Sequence, residues 1–242
     1  MKSLLILPLL LFAFALPLVA DERPRRIMTI AAAYGPVRVE MPDVQRPTAR
    51  PAIIVLSGSK GLASPAYDEI ASRFVTAGLD VFLVHFLSAA DLQVLEEAED
   101  AASRKRYSAA QMPRWIASVR AVAAYLRADR PVGLLGISLG ANVAAASAQG
   151  DDPPGALVLV DGGVGATSAR LPPLLLVWGR DDRVFPPATA RAFEQAVAAR
   201  GGAVRLDMHT GAAHDFFIRP GSAQAASAQQ AAAQFLVSQL MR

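Results

Sequence analysis

Several stretches of this chain are apolar along their whole length and yet too short to be helices. They are Ala52-Ile53-Ile54-Val55-Leu56, Val81 to Phe86 (interrupted by His85), Val132 to Ile137, Ala156 to Val160 and Leu174 to Trp178. A strand with one wetted face alternates apolar and polar residues, so continuous apolarity means burial on both faces. A parallel sheet sandwiched between helices supplies that environment. Helical patterns fall in between. Tyr67 to Ala77 repeats apolar residues at Ile70 and Phe74 and stops at Gly78, while Ala110 to Ala128 aligns Trp115, Val119, Val122 and Leu126. Leu139 to Ala148 and Ala188 to Ala199 complete the series. Alternating strands and helices predict a three-layer α/β domain with right-handed crossovers.

The ends fit the same plan. Ile27 to Ala33 and Val37 to Met41, around Tyr34-Gly35-Pro36, predict an opening hairpin, and Val204 to Met208 a last strand. Ala223 to Gln234 looks simple in composition, but it runs into Phe235, Leu236, Val237 and Leu240 at helical spacing, which predicts a packed terminal helix. The polar stretch Asp91 to Arg106 reads as helical. No repeat or linker divides the chain, so residues 21–242 are expected to form one domain.

Residues 1–20 are expected to be a signal peptide. Lys2 gives a positive start, Leu4 to Leu16 an apolar run, and Ala20 a small residue before Asp21-Glu22. The apolar run is shorter than the ~20 residues that span a bilayer. The expectation is therefore a secreted or periplasmic protein with no stable membrane insertion after cleavage. The chain has no cysteine, which excludes disulfides, thiolate metal sites and a cysteine nucleophile. With 53% hydrophobic residues, disorder is excluded for most of the chain. The 24 basic residues nearly balance the 21 acidic ones, and the clusters Arg23-Arg25-Arg26 and Arg104-Lys105-Arg106 carry no interleaved aromatics. Nucleic acid is not an expected partner.

Gly136-Ile137-Ser138-Leu139-Gly140 is a G-x-S-x-G placed between an apolar strand and an Ala-rich helix. That is the context of a nucleophile elbow, in which the turn is so tight that only glycine fits two residues either side of the serine. Leu139 opens the helix, so its N–H is free to receive an oxyanion. A serine hydroxyl needs a base, and the chain offers three histidines. His85 and His209 belong to strands. His214 lies in the small-residue loop Thr210-Gly211-Ala212-Ala213-His214, free to sit over the elbow, and is the candidate, with His209 the lesser option. The acid behind it can be Asp181 or Asp182, in the loop after Leu174–Trp178, or Asp161, which ends the preceding strand.

From Ser138 through an aspartate to His214, this order resembles the α/β-hydrolases over residues 27–242, and most of all the compact dienelactone-hydrolase-like serine hydrolases. The family pattern G-x-x-D-x-x-V-P matches Gly179, Asp182 and Pro186, with Phe185 where the pattern has valine. G-x-x-H-x-F matches Gly211, His214 and Phe216. The resemblance implies Asp182 as the acid. Ser57-Gly58-Ser59-Lys60-Gly61 resembles the H-G-x-x-G loop, with Ser57 in place of histidine. It implies the N–H of Ser59 as the second oxyanion donor, with Lys60 the neighbouring alternative. The same loop and Ala77-Gly78-Leu79-Asp80-Val81 also resemble acyl-CoA thioesterase and acyltransferase domains.

The resemblance implies an α/β-hydrolase fold: a mostly parallel, twisted sheet of about eight strands with helices on both faces. Only residues 162–173 lie where lids of this fold are inserted, so no sizeable lid domain is expected. The expected activity is hydrolysis of small to medium carboxylic esters by a Ser-His-Asp triad through an acyl-enzyme, with no metal or organic cofactor. The alternatives are an acyl thioesterase or acyltransferase using the same triad, and a non-catalytic binding protein on the same fold. The segment Ser88 to Arg106 is expected either to wall the cleft or to shield the sheet.

Overall fold

The computed structural model describes residues 25–43, 50–163 and 170–242. The leader expected at residues 1–20 lies outside them. Eight strands are formed: β1 (Arg25–Ile30), β2 (Val37–Pro42), β3 (Ala52–Leu56), β4 (Asp80–Val84), β5 (Val132–Ile137), β6 (Ala156–Val160), β7 (Leu174–Gly179) and β8 (Val204–His209). They make one sheet in the order β1-β2-β4-β3-β5-β6-β7-β8. The opening hairpin pairs antiparallel with itself and with β4, and every later pair is parallel. This is the α/β-hydrolase fold.

The apolar strands explain the layers. β3, β5, β6 and β7 are buried at every residue. Alternate side chains from each feed two cores. On one face Ile54, Leu134 and Leu176 pack with Trp115 and Val119 of α3 (Ala101–Arg127), Val143 of α4 (Leu139–Ser147) and Phe193 of α5 (Pro187–Ala199). On the other face Ile53, Leu135 and Val177 pack with Ile70 and Phe74 of α1 (Ala66–Thr76) and Leu236 of α6 (Ala223–Leu240). Each such aliphatic or aromatic side chain contributes roughly 1.5–3 kcal/mol by leaving water. With no disulfide in the chain, this burial is the main source of cohesion. β8 differs. Its pattern alternates and its residues are half-exposed, because it is the sheet edge.

The helix expected from Ala110 begins earlier, at Ala101. Asp100 caps it by accepting the Ser103 N–H at 2.7 Å. Pro113 lies inside and removes one backbone hydrogen bond without ending the helix. The polar stretch Asp91 to Arg106 is helical, divided between the end of one helix and the first turns of α3. α2 (Ala89–Glu97) starts with a capping box in which Ser88 and Asp91 bond reciprocally.

Asp91 also ties α2 to α3. Its fully buried carboxylate accepts the Tyr107 hydroxyl at 2.7 Å and bonds Ser88, Arg114 and the Trp115 indole. Burial alone would push this carboxyl up, but the hydrogen bonds from Tyr107, Ser88 and Arg114 outweigh it and hold the group down at about 2.

The parallel register carries all the carboxyl ends to one rim. Leu56 lies beside Gly136, Ile137 beside Val160, and Gly179 beside His209. Loops leaving β3, β5, β6, β7 and β8 therefore meet along one edge, where ligands bind in open α/β sheets.

Candidate active site

Ser138 stands between β5 and α4 with φ 53° and ψ −112°, a region that costs a non-glycine residue about 1–3 kcal/mol. The flanking glycines make this turn possible. A Cβ on Gly140 would lie 2.5 Å from the carbonyl oxygens of both Leu56 and Ser57, and one on Gly136 would collide with the Gly140 carbonyl. Gly140→Ala is therefore expected to cost about 1–3 kcal/mol by overpacking, read as a lowered midpoint of thermal unfolding.

The Ser138 hydroxyl lies 2.9 Å from His214 Nε2. On the far side of the ring, Nδ1 lies 2.9 Å from Asp182 Oδ2. The other Asp182 oxygen accepts the N–H groups of Val184 at 2.7 Å and Phe185 at 2.9 Å. Asp182 is buried, whereas Asp181 is exposed and its backbone N–H donates to the Ala212 carbonyl. The Phe185 ring lies 5.6 Å from the imidazole and covers it.

The other histidines are used elsewhere. His85 lies just past β4 with Nε2 2.9 Å from Glu40, and His209 stacks on Phe216 at 4.9 Å. Ser59 and Leu139 line the same cleft as Ser138, while Lys60 lines a separate cavity beside Arg25 and Glu40. Gly58 approaches so closely that a Cβ there would be 3.7 Å from Ser138 Cβ, which sets the β3 loop against the elbow.

This chain of hydroxyl, imidazole and carboxylate sits in a sequence that matches the model of the Dienelactone hydrolase family over residues 39–241. The chain belongs to that family. By class this dienelactone hydrolase family member is a carboxylic ester hydrolase, a serine hydrolase of α/β fold.

Solved structures agree on the fold. The dienelactone hydrolase of Anabaena variabilis superposes with a TM-score of 0.68 at 18% identity, covering 90% of this chain and 98% of that one. The esterase of Pyrobaculum calidifontis gives 0.70 at 16%, covering 89% and 85%. Thermogutta terrifontis esterase 2, in a form phosphoramylated by tabun, gives 0.61 at 20%, covering 90% and 96%. No curated protein matches the sequence.

The cleft above Ser138 has a volume of about 580 Å³. One face of α3 forms a wall of it through Ala101, Arg104, Lys105, Ser108, Ala109 and Met112, at helical spacing. Leu139, Val184 and Phe185 line it as well. Within Ser88 to Arg106, Leu95, Ala101, Arg104 and Lys105 line the cleft. Leu95 is also buried in the core on the α3 face of the sheet, so the segment both walls the cleft and shields the sheet.

Asp161 is the residue whose position sequence reasoning left open. It is fully buried at the end of β6 with φ 46°, and its Oδ1 accepts the Gly179 N–H at 2.9 Å. Asp161, Asp182 and His214 each place a possible metal ligand atom within 4.8 Å of the others. Both Asp182 oxygens and His214 Nδ1 are already hydrogen-bonded to one another or to backbone. A cation there would have to break the pairing that orients the ring. The donor set fits a proton relay better than a metal site.

Proposed function

We propose that this family member is an exported serine esterase that cleaves small to medium carboxylic esters through an acyl-enzyme. The observation that supports this most is the Ser138–His214–Asp182 series, with both links at 2.9 Å. Ser138 Oγ attacks the ester carbonyl as His214 Nε2 takes its proton. Asp182 holds Nδ1–H and stabilises the imidazolium that forms. The N–H groups of Leu139 and Ser59, neither spent on another described group, receive the oxyanion. The imidazolium returns its proton to the departing alcohol, and water repeats the sequence on the acyl-enzyme. The apolar part of the cleft, Leu139, Val184 and Phe185, suits an acyl chain.

A serine-directed fluorophosphonate tests the reading. A single adduct mapping to Ser138 supports it. A folded protein that never labels supports a non-catalytic binding protein on the same fold. Export is proposed from residues 1–20 alone, and a mature protein beginning at Asp21 on N-terminal sequencing is the expected result.

Arg104 and Lys105, on a cleft wall without a carboxylate among its lining residues, favour a second reading: an acyl thioesterase or acyltransferase whose leaving group carries phosphate. Comparing kcat/KM for a neutral nitrophenyl ester and a coenzyme A thioester separates the two. If the thioester is a substrate, joint Arg104→Glu and Lys105→Glu substitution is expected to lower its kcat/KM about tenfold more than that of the neutral ester.

A further inference from the structure

The buried carboxyl of Asp161 is not used by the mechanism above, and it stands close to groups that are. One oxygen is satisfied by the Gly179 N–H, and the other, Oδ2, is buried without a hydrogen-bond partner among the described residues. A bare carboxylate accepts only, and an orphaned, desolvated one is costly. The same oxygen carrying a proton becomes a donor. Two carboxylates argue for that proton: Asp182, from the loop after β7, and Asp215, from the segment after β8. The His214 ring stands beside them and opposes it only when it is itself charged, and among the described residues no arginine or lysine is paired to Asp161.

We propose that Asp161 is a positioning residue of this site: it keeps its own proton at neutral pH, so that the His214 imidazole faces one negative charge fewer, and its hydroxyl turns as a donor toward the Asp182 carboxylate, which lies within 4.8 Å. The inference rests on the serine-esterase reading for its functional meaning, but not for its chemistry. Asp182 has room for the extra donor, because three hydrogen bonds leave part of its acceptor capacity open. The backbone fits as well. Asp161 N–H bonds the Val177 carbonyl on β7, and the neighbouring Val160 carbonyl accepts the Ser138 N–H. This left-handed residue is thereby locked between the elbow and the acid loop. Burial, and then the Asp182 charge, push its carboxyl up from 3.8 to about 8.

The consequence for stability has a definite sign. The unfolded chain releases this proton near the ordinary carboxylate pKa, and the folded chain holds it to about 8. Between those values folding takes up a proton. The stability that Asp161 contributes is fully present below the lower value and is lost as pH rises toward the upper one. An asparagine removes that dependence.

NMR of the wild-type protein tests the proposal before any variant is made. The Asp161 carboxyl carbon should titrate in the mildly alkaline range. In Asp161→Asn the thermal midpoint should rise relative to wild type as pH goes from 4 to 8. Asp161→Ala should lose about tenfold in kcat at pH 7, the worth of one hydrogen bond to a charged group, and Asp161→Asn should recover most of that loss. An Asp161 carboxyl that titrates in the ordinary acidic range overturns the proposal. So does an asparagine variant no more active than alanine. If the asparagine variant fails to fold, the wild-type titration still decides. A protein that shows the titration but never labels with fluorophosphonate sinks the esterase reading and leaves the protonated Asp161 standing.

Discussion

Replacing Ser138 by alanine is expected to abolish fluorophosphonate labelling and lower kcat for a nitrophenyl ester by roughly 10⁶-fold, the loss seen when a triad nucleophile is removed. A small residual rate over water should remain, because the Leu139 and Ser59 amides still polarise a bound carbonyl. The variant should fold normally. Ser138 makes no side-chain cap at α4, and among the described residues its side-chain partner is His214. Alanine also keeps the same strained backbone as serine. A far-ultraviolet spectrum and a thermal midpoint close to wild type, with turnover gone, are the expected pair of readings. Retained turnover in a folded Ser138→Ala protein would end the acyl-enzyme account.

The second large effect separates two adjacent acids. Asp182→Asn is expected to cost about 10⁴-fold in kcat. The amide can still accept from Val184 and Phe185, but its NH₂ facing Nδ1 selects the wrong tautomer, leaving Nε2 protonated and unable to take the Ser138 proton. Asp181→Asn touches an exposed side chain and should change kcat by less than about threefold, a surface-substitution effect. Steady-state kinetics on the pair decides it, and the reverse ranking would move the acid to Asp181.

Much of this was legible before any coordinates. β5 and β6 occupy the residues their apolar runs predict, because a strand buried on both faces leaves no other composition available. The elbow could be seen because two glycines and a serine are needed at fixed offsets in one local turn. The start of α3 was harder to see. Residues 101–109 are mostly polar and Pro113 follows; the Asp100 cap is a local signal that such a run hides, and the Asp91 ties to Tyr107 and Arg114 act between α2 and α3. The choice between Asp181 and Asp182 depended on family resemblance, since burial distinguishes them and adjacent residues share every local property. Asp161 was visible only as one of three possible acids. Its meaning depends on Gly179 and His214, which come close only when three strands align. A non-glycine residue in left-handed backbone leaves no mark in sequence beyond being an aspartate, one of the few types that tolerate it.

The place of β8 has a bearing on durability. It bonds to β7 on one side only, its residues are half-exposed, and the loop it launches holds His214. Fraying of that rim would carry off the imidazole while the two apolar cores, which centre on β3, β5 and β6, stay intact. Loss of turnover on warming should then run ahead of melting, and the working lifetime of the protein is governed by its selvage rather than by its centre.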